Sequence, residues 1–386
     1  MVQRVLFVHS SAELYGSDRS LAELCAEYVR RGLAVAVVVP SDGPLVPLLR
    51  GSGVRTIVAP AAAKLDRSTL RQVRSSVKLL GRLVDTFRLA ARLGRADVVH
   101  SNTTGVLGGP VLAGLLRAPH VWTVREIIER PAAVRKAIGS ALRFGSKAVT
   151  YNSRATAEFW LTVAPTLAMK STVVANQVSV PNELARRCEA RTQLGLGPDD
   201  VVVAILGRIN EWKGHDVLLS AFEKLAARWP HLRLLIAGSA PPGQEWRVDA
   251  LRDRMESASF AARVQFVGFL PEPGPVYAAA DIVVVPSTRP EPFGRVAVEA
   301  AHYGVPVVAA EHGGLREIVH HEETGLLVAP GSATDLAATL SRLAGDEALR
   351  MHLGTEAQRR ARGFSVEAIA DQYLEVYRRA ANDAGA

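Results

Sequence analysis

The stretch VVVAILGRINEWKGHDVLLSAFEKL, residues 201–225, contains the pattern that decides the fold. Its first six residues, Val201–Leu206, are all apolar and predict a strand that is buried on both faces. The next eight residues, 207–214, begin and end with glycine and predict a loop, and a helix is predicted from His215 onward. Fully apolar strands that alternate with helices are typical of a parallel sheet with helices on both sides.

The same alternation continues in both directions along the chain. Further strands are predicted at residues 5–8, 35–39, 54–58, 98–99, 121–124, 148–150, 232–237, 264–267, 282–285 and 305–309. Residues 181–200 interrupt the rhythm with proline, glycine and aspartate, and they predict a linker. Since 386 residues are too many for one ordinary core, we expect two doubly wound α/β domains, residues 1–182 and 183–364, and a final helix at 365–382. Ligands of such sheets lie outside the carboxyl ends of the strands, so the cleft between two facing domains is the expected site.

Charge is distributed unevenly along the chain, which has a net charge of +8. Residues 1–182 contain 24 Lys and Arg against 11 Asp and Glu, whereas residues 183–386 contain 22 against 27. Such asymmetry indicates an anionic partner for the first half: a membrane, a nucleic acid or an acidic small molecule. Residues 64–95 hold nine cations and two acids, with apolar residues at helical spacing. This pattern is typical of a helix that binds an anionic membrane surface, and a surface helix that packs on the sheet is the alternative.

Composition and cysteine usage exclude several classes of protein. Hydrophobic residues make up 48% of the chain and charged residues 22%, which excludes a mostly disordered, collagen-like or disulfide-scaffold protein. The two cysteines, Cys25 and Cys188, fit no metal-site spacing and favour a reducing compartment. Neither a signal peptide nor a membrane-spanning run is recognisable, so we expect a cytoplasmic protein, peripheral at most at the inner face of the plasma membrane.

The segment EPFGRVAVE, residues 291–299, follows a predicted strand and opens a helix. Backbone N–H groups around Gly294 are unpaired at such a helix start and suit an anion or a hydroxyl group. Glu299 lies about two turns into the helix among apolar residues. A carboxylate is rarely buried there unless it is paired, which favours a functional role. A carboxylate accepts two hydroxyl donors at once, which suits a ribose diol or a sugar. A capping Glu291 with a solvated Glu299 is the structural alternative.

Two cations, Arg208 and Lys213, follow the strand at 201–206 and precede the helix from His215. At the carboxyl end of a strand, a planar guanidinium and a compact ammonium group suit a diphosphate without a metal ion. Two ordinary surface cations are the alternative.

These motifs occur together with three more: GVPVVA at 304–309, GGLRE at 313–317 and GLLV at 325–328. In this combination the second half resembles the retaining GT-B glycosyltransferases of family 4. The first half resembles them more loosely, through the opening strand, the Gly16 loop and the segment 174–176. The resemblance implies an α/β protein of GT-B architecture, in which the second domain binds a nucleotide sugar and the first binds a hydroxyl acceptor. It also implies that no metal or other cofactor is needed, and that helix 365–382 packs back on the first domain.

The resemblance assigns roles to individual residues of the second half. Arg208 and Lys213 would hold the diphosphate and stabilise the leaving group, Glu291 would contact the donor sugar, and Glu299 would accept the ribose hydroxyl groups. The remaining donor-binding residues implied in this half are Gly207, Phe269, Leu270, Phe293, Gly294, Arg295 and Val296. Acceptor attack would take place on the front face of the sugar, so no carboxylate nucleophile is expected.

The first half departs from the family pattern at two places. Members usually have a pair of glycines after the first strand, where this chain has Gly16 alone, followed by Ser17 and Asp18. Contact with the substrates is expected there, and an ordinary helix N-cap at Ser17 or Asp18 is the alternative. Many members have a histidine where this chain has Arg125. Arg125, with Glu126 beside it, is expected to bind an anionic acceptor or the donor, and a surface ion pair is the alternative.

A third polar group follows the strand at 98–99. His100 and Asn102 are predicted acceptor contacts, although a satisfied structural histidine explains His100 equally well. The acceptor class stays open at this point and includes a lipid-linked sugar, a glycan and a small molecule.

Three other functions compete with glycosyl transfer. A sugar-nucleotide epimerase of the same architecture is disfavoured by the spacing of Glu291 and Glu299. Nucleic-acid binding is disfavoured because the basic segment lacks interleaved aromatic residues. A dinucleotide oxidoreductase is disfavoured because no Gly-x-Gly-x-x-Gly follows the first strand of either domain.

Overall fold

The computed structural model describes residues 2–59, 76–129, 131–179 and 184–382, and residues 76–84 by their backbone only. The chain divides into two compact units. Unit 1 comprises Met1–Ser179 together with Ser365–Ala386, and unit 2 comprises Val180–Phe364. Much of the predicted basic segment 64–95 therefore lies outside the described residues.

Unit 1 is built on a parallel sheet of seven strands. The strands are β1 (Arg4–Val8), β2 (Ala34–Val39), β3 (Arg55–Val58), β4 (Val98–Ser101), β5 (His120–Val124), β6 (Ala148–Tyr151) and β7 (Ser171–Val173). Their order across the sheet is β3-β2-β1-β4-β5-β6-β7. The order reverses between β1 and β4, so the loops after these two strands flank the switch point of the sheet.

Helices cover both faces of this sheet. They are α1 (Gly16–Arg30), α2 (Leu45–Gly51), α3 (Ser76–Leu93), α4 (Gly108–Leu116), α5 (Ala132–Gly145), α6 (Arg154–Val163), a 3₁₀ helix (Pro165–Lys170) and, from the end of the chain, α15 (Val366–Asn382). The apolar face of α1, which contains Leu21, Leu24, Cys25 and Tyr28, is buried and packs with β1 and β2 in one core. On α15, Tyr373 and Tyr377 are fully buried in the same core, so the last helix is an integral part of unit 1.

Unit 2 contains a parallel sheet of six strands. These are β8 (Val201–Leu206), β9 (Leu232–Ala237), β10 (Val264–Gly268), β11 (Ile282–Val285), β12 (Val307–Ala310) and β13 (Gly325–Val328). Their order is β10-β9-β8-β11-β12-β13, so the switch point lies between β8 and β11. All side chains of β11 and all but the first of β8 are buried, as expected for strands covered on both faces.

The helices of unit 2 complete its two outer layers. They are α7 (Arg187–Gln193), α8 (His215–Ala226), α9 (Trp246–Glu256), α10 (Gly274–Ala279), α11 (Arg295–His302), α12 (Leu315–Ile318), α13 (Ala333–Gly345) and α14 (Glu347–Ala361), with 3₁₀ helices at Ala261–Arg263 and Arg362–Phe364. Helix α8 buries Leu218, Leu219 and Phe222 in the main core of the unit. In the part of the chain that the structure describes, no helix is long and apolar enough to cross a membrane.

Two strands and one helix were not expected at their positions. Strands β7 and β13 were not predicted, and helix α7 lies inside the predicted linker 181–200. Helix α7 is held by Arg191, whose buried guanidinium donates to the carbonyl groups of Gly197 and Asp200 and to the Asp281 carboxylate at 2.6 Å. A polar segment is therefore fixed by hydrogen bonds, which an apolar-pattern search does not detect.

Candidate functional site

The loops after β8 and β11, residues 207–214 and 286–294, meet at the switch point of unit 2 and are called here the switch-point loops. The backbone N–H of Thr288 donates to the carbonyl oxygen of Trp212 at 2.7 Å. At Gly214, where φ is +80°, a Cβ atom would lie 2.0 Å from the carbonyl oxygen of Pro286. Glycine is therefore required for this close approach, which brings the start of α8 against the end of β11.

Within these loops the structure joins two of the predicted catalytic residues. The Lys213 ammonium group forms an ion pair with the Glu291 carboxylate, and the Ser287 hydroxyl donates to the same carboxylate at 2.8 Å. The Glu291 side chain is 6% exposed and that of Lys213 21% exposed. An ammonium group has three donors, so Lys213 keeps hydrogen-bonding capacity beyond Glu291. A partly exposed, positioned cation at the carboxyl end of the sheet suits an anionic ligand.

The loop that presents Lys213 is shaped by Asn210. Its side-chain oxygen accepts the backbone N–H groups of Trp212 at 3.1 Å and Lys213 at 3.0 Å, which is an Asx-type turn. The Lys213 ammonium nitrogen also lies 4.5 Å from the centre of the Trp212 ring. Both contacts restrict where the cation can be, so the site is preorganised.

The GGLRE motif has a packing role that the sequence did not reveal. A Cβ atom on Gly313 would lie 2.3 Å from the carbonyl oxygen of Glu291, and one on Gly314 would lie 2.8 Å from Cα of Phe293. The N–H of Gly314 donates to the Glu291 carbonyl at 2.7 Å. The paired glycines therefore let the loop after β12 lie directly on the second switch-point loop and fix it.

Glu299 is held on helix α11 by two partners. Its carboxylate accepts from Arg295 Nε at 2.6 Å and from the Tyr277 hydroxyl at 2.5 Å. The carboxylate is 16% exposed. Since each carboxylate oxygen has a second lone-pair direction, Glu299 can accept further hydrogen bonds from a ligand. Tyr277 stacks on Tyr303 with ring centres 5.5 Å apart, and this contact fixes the position of the Tyr277 ring.

Other predicted residues of unit 2 lie around this arrangement. Gly294 has a φ of +109° and precedes the first residue of α11, with Arg295 and Val296 in its first turn. The Phe293 ring is buried against Phe364 at 5.8 Å. Of the other predicted donor-binding residues, Gly207 and Arg208 lie at the start of the first loop, where Arg208 is exposed. Phe269 and Leu270 follow β10, and Phe269 is 53% exposed.

In unit 1, a buried polar network lies at the carboxyl edge of the sheet. The Asp18 carboxylate accepts from His9 Nε2 at 2.8 Å, and His9 Nδ1 then accepts from the Asn102 amide nitrogen at 3.3 Å. The Asn102 side-chain oxygen accepts from the Arg125 guanidinium at 2.8 Å, and the Asn176 side-chain oxygen accepts from the same group. The residues after β1, β4, β5 and β7 are thereby joined, including three of the predicted acceptor contacts.

Arg125 has an unusual set of partners for a buried cation. Its residue is 6% exposed, and its guanidinium is bonded to the Asn102 carbonyl and to the two asparagine side chains. Among the described residues, no ion pair to Arg125 is found. Glu126 instead accepts the backbone N–H of Arg125 at 3.1 Å and the Thr104 hydroxyl at 2.8 Å. Because Arg125 is buried and forms no ion pair among the described residues, the alternative of a surface ion pair does not hold. A buried charge is ordinarily paired, so this environment is unusual.

His100 has the contacts of a structural histidine, the alternative that the sequence analysis gave for this residue. The side chain is fully buried, with Nδ1 2.6 Å from the Tyr377 hydroxyl and Nε2 2.6 Å from the Thr123 hydroxyl. Burial, reinforced by the nearby charge of Arg125, holds the pKa of His100 well below its ordinary value. Neutral His100 therefore anchors α15 to the sheet.

The start of α1 excludes the alternative that Ser17 or Asp18 is the N-cap residue. The helix begins at Gly16, and the Asp18 carboxylate accepts the Tyr15 N–H at 2.9 Å from inside the first turn. Neither Ser17 nor Asp18 is therefore the N-cap residue. A Cβ atom on Gly16 would meet nothing within 4 Å, so packing within the described chain does not require glycine there.

Several participating residues were missed by the sequence analysis. They are His9, Thr104, Asn210, Tyr277 and Ser287. Each follows a strand or lies on a helix beside one, but a lone polar residue there has no distinguishing pattern. Within the described ranges, no group of three or more His, Cys, Asp and Glu side chains is placed to hold a metal ion.

Solved structures with the same fold define the class of protein. HepE of Anabaena, solved in complex with UDP and glucose, matches with a TM-score of 0.82 and 26% identity, over 97% of this chain and 99% of that chain. Sucrose-phosphate synthase of Thermosynechococcus elongatus matches with a TM-score of 0.77 and 24% identity, over 97% and 99%. Two Rossmann-like units with these relatives make the fold GT-B, as the sequence predicted.

Family models identify the chain more closely. The model for glycosyl transferases group 1 matches residues 187–360, and the model for the glycosyl transferase 4-like domain matches residues 15–193. This chain belongs to the group 1 glycosyl transferases, and the predicted resemblance is confirmed.

Curated relatives match over about half of this chain. The D-inositol 3-phosphate glycosyltransferase of Rhodococcus jostii is 44% identical over 201 residues, which is 50% of this chain and 44% of the relative. The enzyme of that name from Corynebacterium glutamicum is 40% identical over 192 residues, which is 49% of this chain and 46% of the relative. The matched part thus spans less than half the length of these relatives.

Proposed function

We propose that this protein transfers a sugar from a nucleotide-diphosphate sugar to a hydroxyl group of an acceptor, with retention of the anomeric configuration and without a metal ion. The observation that carries the proposal is the Lys213–Glu291 pair at the switch point of unit 2, the position at which open α/β sheets ordinarily bind ligands. Family membership and the UDP found in the HepE structure agree with it.

The diphosphate is the part of the donor that Lys213 suits. Its ammonium group is positioned by Asn210 and Glu291, so a phosphate oxygen meets a cation that does not have to reorganise. Arg208, at the start of the same loop, supplies a second cation. When the bond between the anomeric carbon and the diphosphate oxygen breaks, these charges stabilise the negative charge that develops on the leaving group.

The sugar and the ribose are assigned to the two carboxylates. Glu291 lies beside Lys213 and is proposed to bind the donor sugar, while Glu299, two turns along α11, is proposed to bind the ribose hydroxyl groups. The acceptor oxygen attacks the face of the sugar from which the diphosphate leaves, and a phosphate oxygen of the leaving group takes the acceptor proton. No protein carboxylate forms a bond to the sugar in this proposal.

The acceptor is proposed to be anionic and to bind unit 1. Arg125 is a buried guanidinium whose partners are amide oxygens, so a phosphate or carboxylate of the acceptor supplies the missing counter-charge. The name of the curated relatives, D-inositol 3-phosphate glycosyltransferase, specifies such an acceptor for those proteins. A lipid-linked or glycan acceptor that carries phosphate has the same chemistry and agrees with a role at the cell surface.

A nucleotide-release assay tests this function and separates it from the epimerase alternative. The protein is incubated with UDP-, GDP-, ADP- and dTDP-sugars, with inositol 3-phosphate and inositol as a matched pair of acceptors. A transferase releases nucleoside diphosphate only with an acceptor, and Arg125 predicts a preference for the phosphorylated one. Nucleotide release that is equal with and without any acceptor, together with a changed sugar epimer, refutes the proposal.

A further inference from the structure

The positive excess of the first half lies in two segments rather than one. Besides residues 64–95, the segment 130–182 contains seven Lys and Arg and a single acid, Glu158. The remaining residues, 1–63 and 96–129, contain eight cations and eight acids. The second segment is described by the structure almost completely, so its surface can be examined side chain by side chain.

Helix α5 and the 3₁₀ helix Pro165–Lys170 bring part of this segment together. Lys170 donates from Nζ to the carbonyl oxygens of Leu142 at 3.1 Å, Arg143 at 2.6 Å and Ser146 at 2.6 Å. An ammonium group at this position satisfies carbonyl groups that the end of a helix leaves unpaired. Lys170, the neighbour of Met169 in the chain, is therefore anchored to the last turn of α5.

Two large apolar side chains are exposed at this junction. Phe144 is 79% exposed and Met169 is 95% exposed. The Arg143 guanidinium carbon lies 5.0 Å from the centre of the Phe144 ring, which orients the two side chains together. Neither apolar side chain contributes to the cores found in unit 1.

Two cations close to Phe144 in the chain are also exposed. Arg143 and Lys147 are exposed, and among the described residues neither forms an ion pair. Burial and the positive charges of Lys147 and Arg143 lower the pKa of Lys170, which reflects the same concentration of charge. The exposed face of α5 one to two turns earlier adds Lys136.

We propose that the surface formed by Arg143, Phe144, Lys147 and Met169, the α5 patch, binds an anionic lipid bilayer. Phe144 and Met169 suit the boundary between headgroups and acyl chains, because they gain by leaving water. Arg143 and Lys147 suit the headgroup phosphates at the same depth. Charge complementarity favours this occupant over a neutral apolar partner, and it places membrane contact on described residues outside the predicted segment 64–95.

Co-sedimentation with vesicles tests the α5 patch on the full-length protein without any substrate. Vesicles of phosphatidylcholine alone are compared with vesicles containing about one third phosphatidylglycerol, at low and high salt. We expect binding to the anionic vesicles only, decreasing with salt because surface charges are screened. We expect each of two double variants to lower the partition coefficient at least tenfold. R143Q/K147Q replaces the two cations, and F144S/M169S replaces the two apolar residues.

A matched control exists in unit 2. Trp246 is 59% exposed with the Arg247 guanidinium carbon 4.4 Å from its ring centre, so W246S/R247Q removes an equivalent exposed aromatic–arginine pair. We expect vesicle binding of this control to equal that of the wild type. The variant F87S, on α3, measures the contribution of the other segment.

The outcomes separate this inference from the proposed function. Unchanged vesicle binding by both α5-patch variants, with the melting temperature of the wild type, overturns the proposal. So does salt-dependent binding to DNA or RNA without binding to anionic vesicles. Nucleotide release with a soluble acceptor is expected to be the same in the wild type and in F144S/M169S, so a failure of membrane binding leaves the transferase proposal standing.

Discussion

Replacement of Lys213 by methionine tests the electrostatics of the switch-point loops. The substitution removes the cation and keeps most of the side-chain volume, so the Glu291 carboxylate loses its counter-charge while it remains buried. Removing one partner of a buried ion pair ordinarily costs about 3–5 kcal/mol. The Lys213 side chain is 21% exposed and Ser287 still donates to Glu291, so we expect about 2–3 kcal/mol here.

The double variant K213M/E291Q separates stability from function. With neither charge present, the burial penalty disappears, and we expect unit 2 to recover to within about 1 kcal/mol of the wild type. Glycosyl transfer is expected to stay impaired in the double variant, because the diphosphate has still lost its cation. The second substitution should therefore restore stability without restoring activity.

Hydrogen exchange of peptides from β8 and β11, measured with mass spectrometry, reports the stability of unit 2 separately from unit 1. The destabilisation expected in K213M corresponds to a melting temperature of unit 2 lower by roughly 5–10 °C. Wild-type protection in K213M, or a double variant that loses the sum of the two single effects, refutes the view that these groups form a coupled buried pair.

Two further changes test the loop after β1 and the acid sensitivity of unit 2. For G16A we expect wild-type stability in a urea titration, since a Cβ atom there meets no atom within 4 Å. We expect roughly tenfold lower transfer activity, because the proposed ligand approaches this backbone. Full activity of G16A contradicts a substrate contact at this loop. Burial, with the nearby charge of Lys213, lowers the pKa of His215 to about 4, so unfolded chains take up the proton first as the pH falls from 6.5 to 4. The stability that neutral His215 contributes is therefore fully present above pH 6.5 and declines by about 3 kcal/mol toward pH 4. H215L should remove this contribution and leave the smaller one of His302, whose pKa is also lowered by burial. Unit 1 should keep its own decline in that variant, because the pKa of His120 is also about 4 through burial, and an unchanged pH profile of unit 2 in H215L contradicts the assignment.

The strands that organise both units could be predicted because their side chains are apolar on both faces. Val201–Leu206 and Ile282–Val285 were predicted with the bounds that the structure has. The strand Ser171–Val173 was not predicted, since its residues are polar or partly exposed at the edge of the sheet. The start of β12 was placed too early, at 305 instead of Val307, because apolar residues flank Pro306 outside the ladder.

The candidate site was predicted as a set of residues but not as a set of contacts. Lys213 and Glu291 were each recognised beside the end of a strand, whereas their pairing depends on the neighbouring positions of β8 and β11 in the sheet. The chain of hydrogen bonds from Asp18 through His9 and Asn102 requires side-chain geometry from separate loops. Sequence spacing contains no information about such distances between loops.

Calorimetric titration of UDP and UDP-glucose into the wild type, E299A and E356A tests the central claim most directly. Glu356 is the matched control, since it also pairs with an arginine on a helix of unit 2, at 2.6 Å. Loss of hydrogen bonds to a charged acceptor is worth about 1.5–3 kcal/mol, so we expect E299A to bind the nucleotide roughly 10–100 times more weakly and E356A to bind like the wild type. Equal affinity in the folded E299A variant and the wild type would contradict the placement of the nucleotide sugar at the switch-point loops and α11.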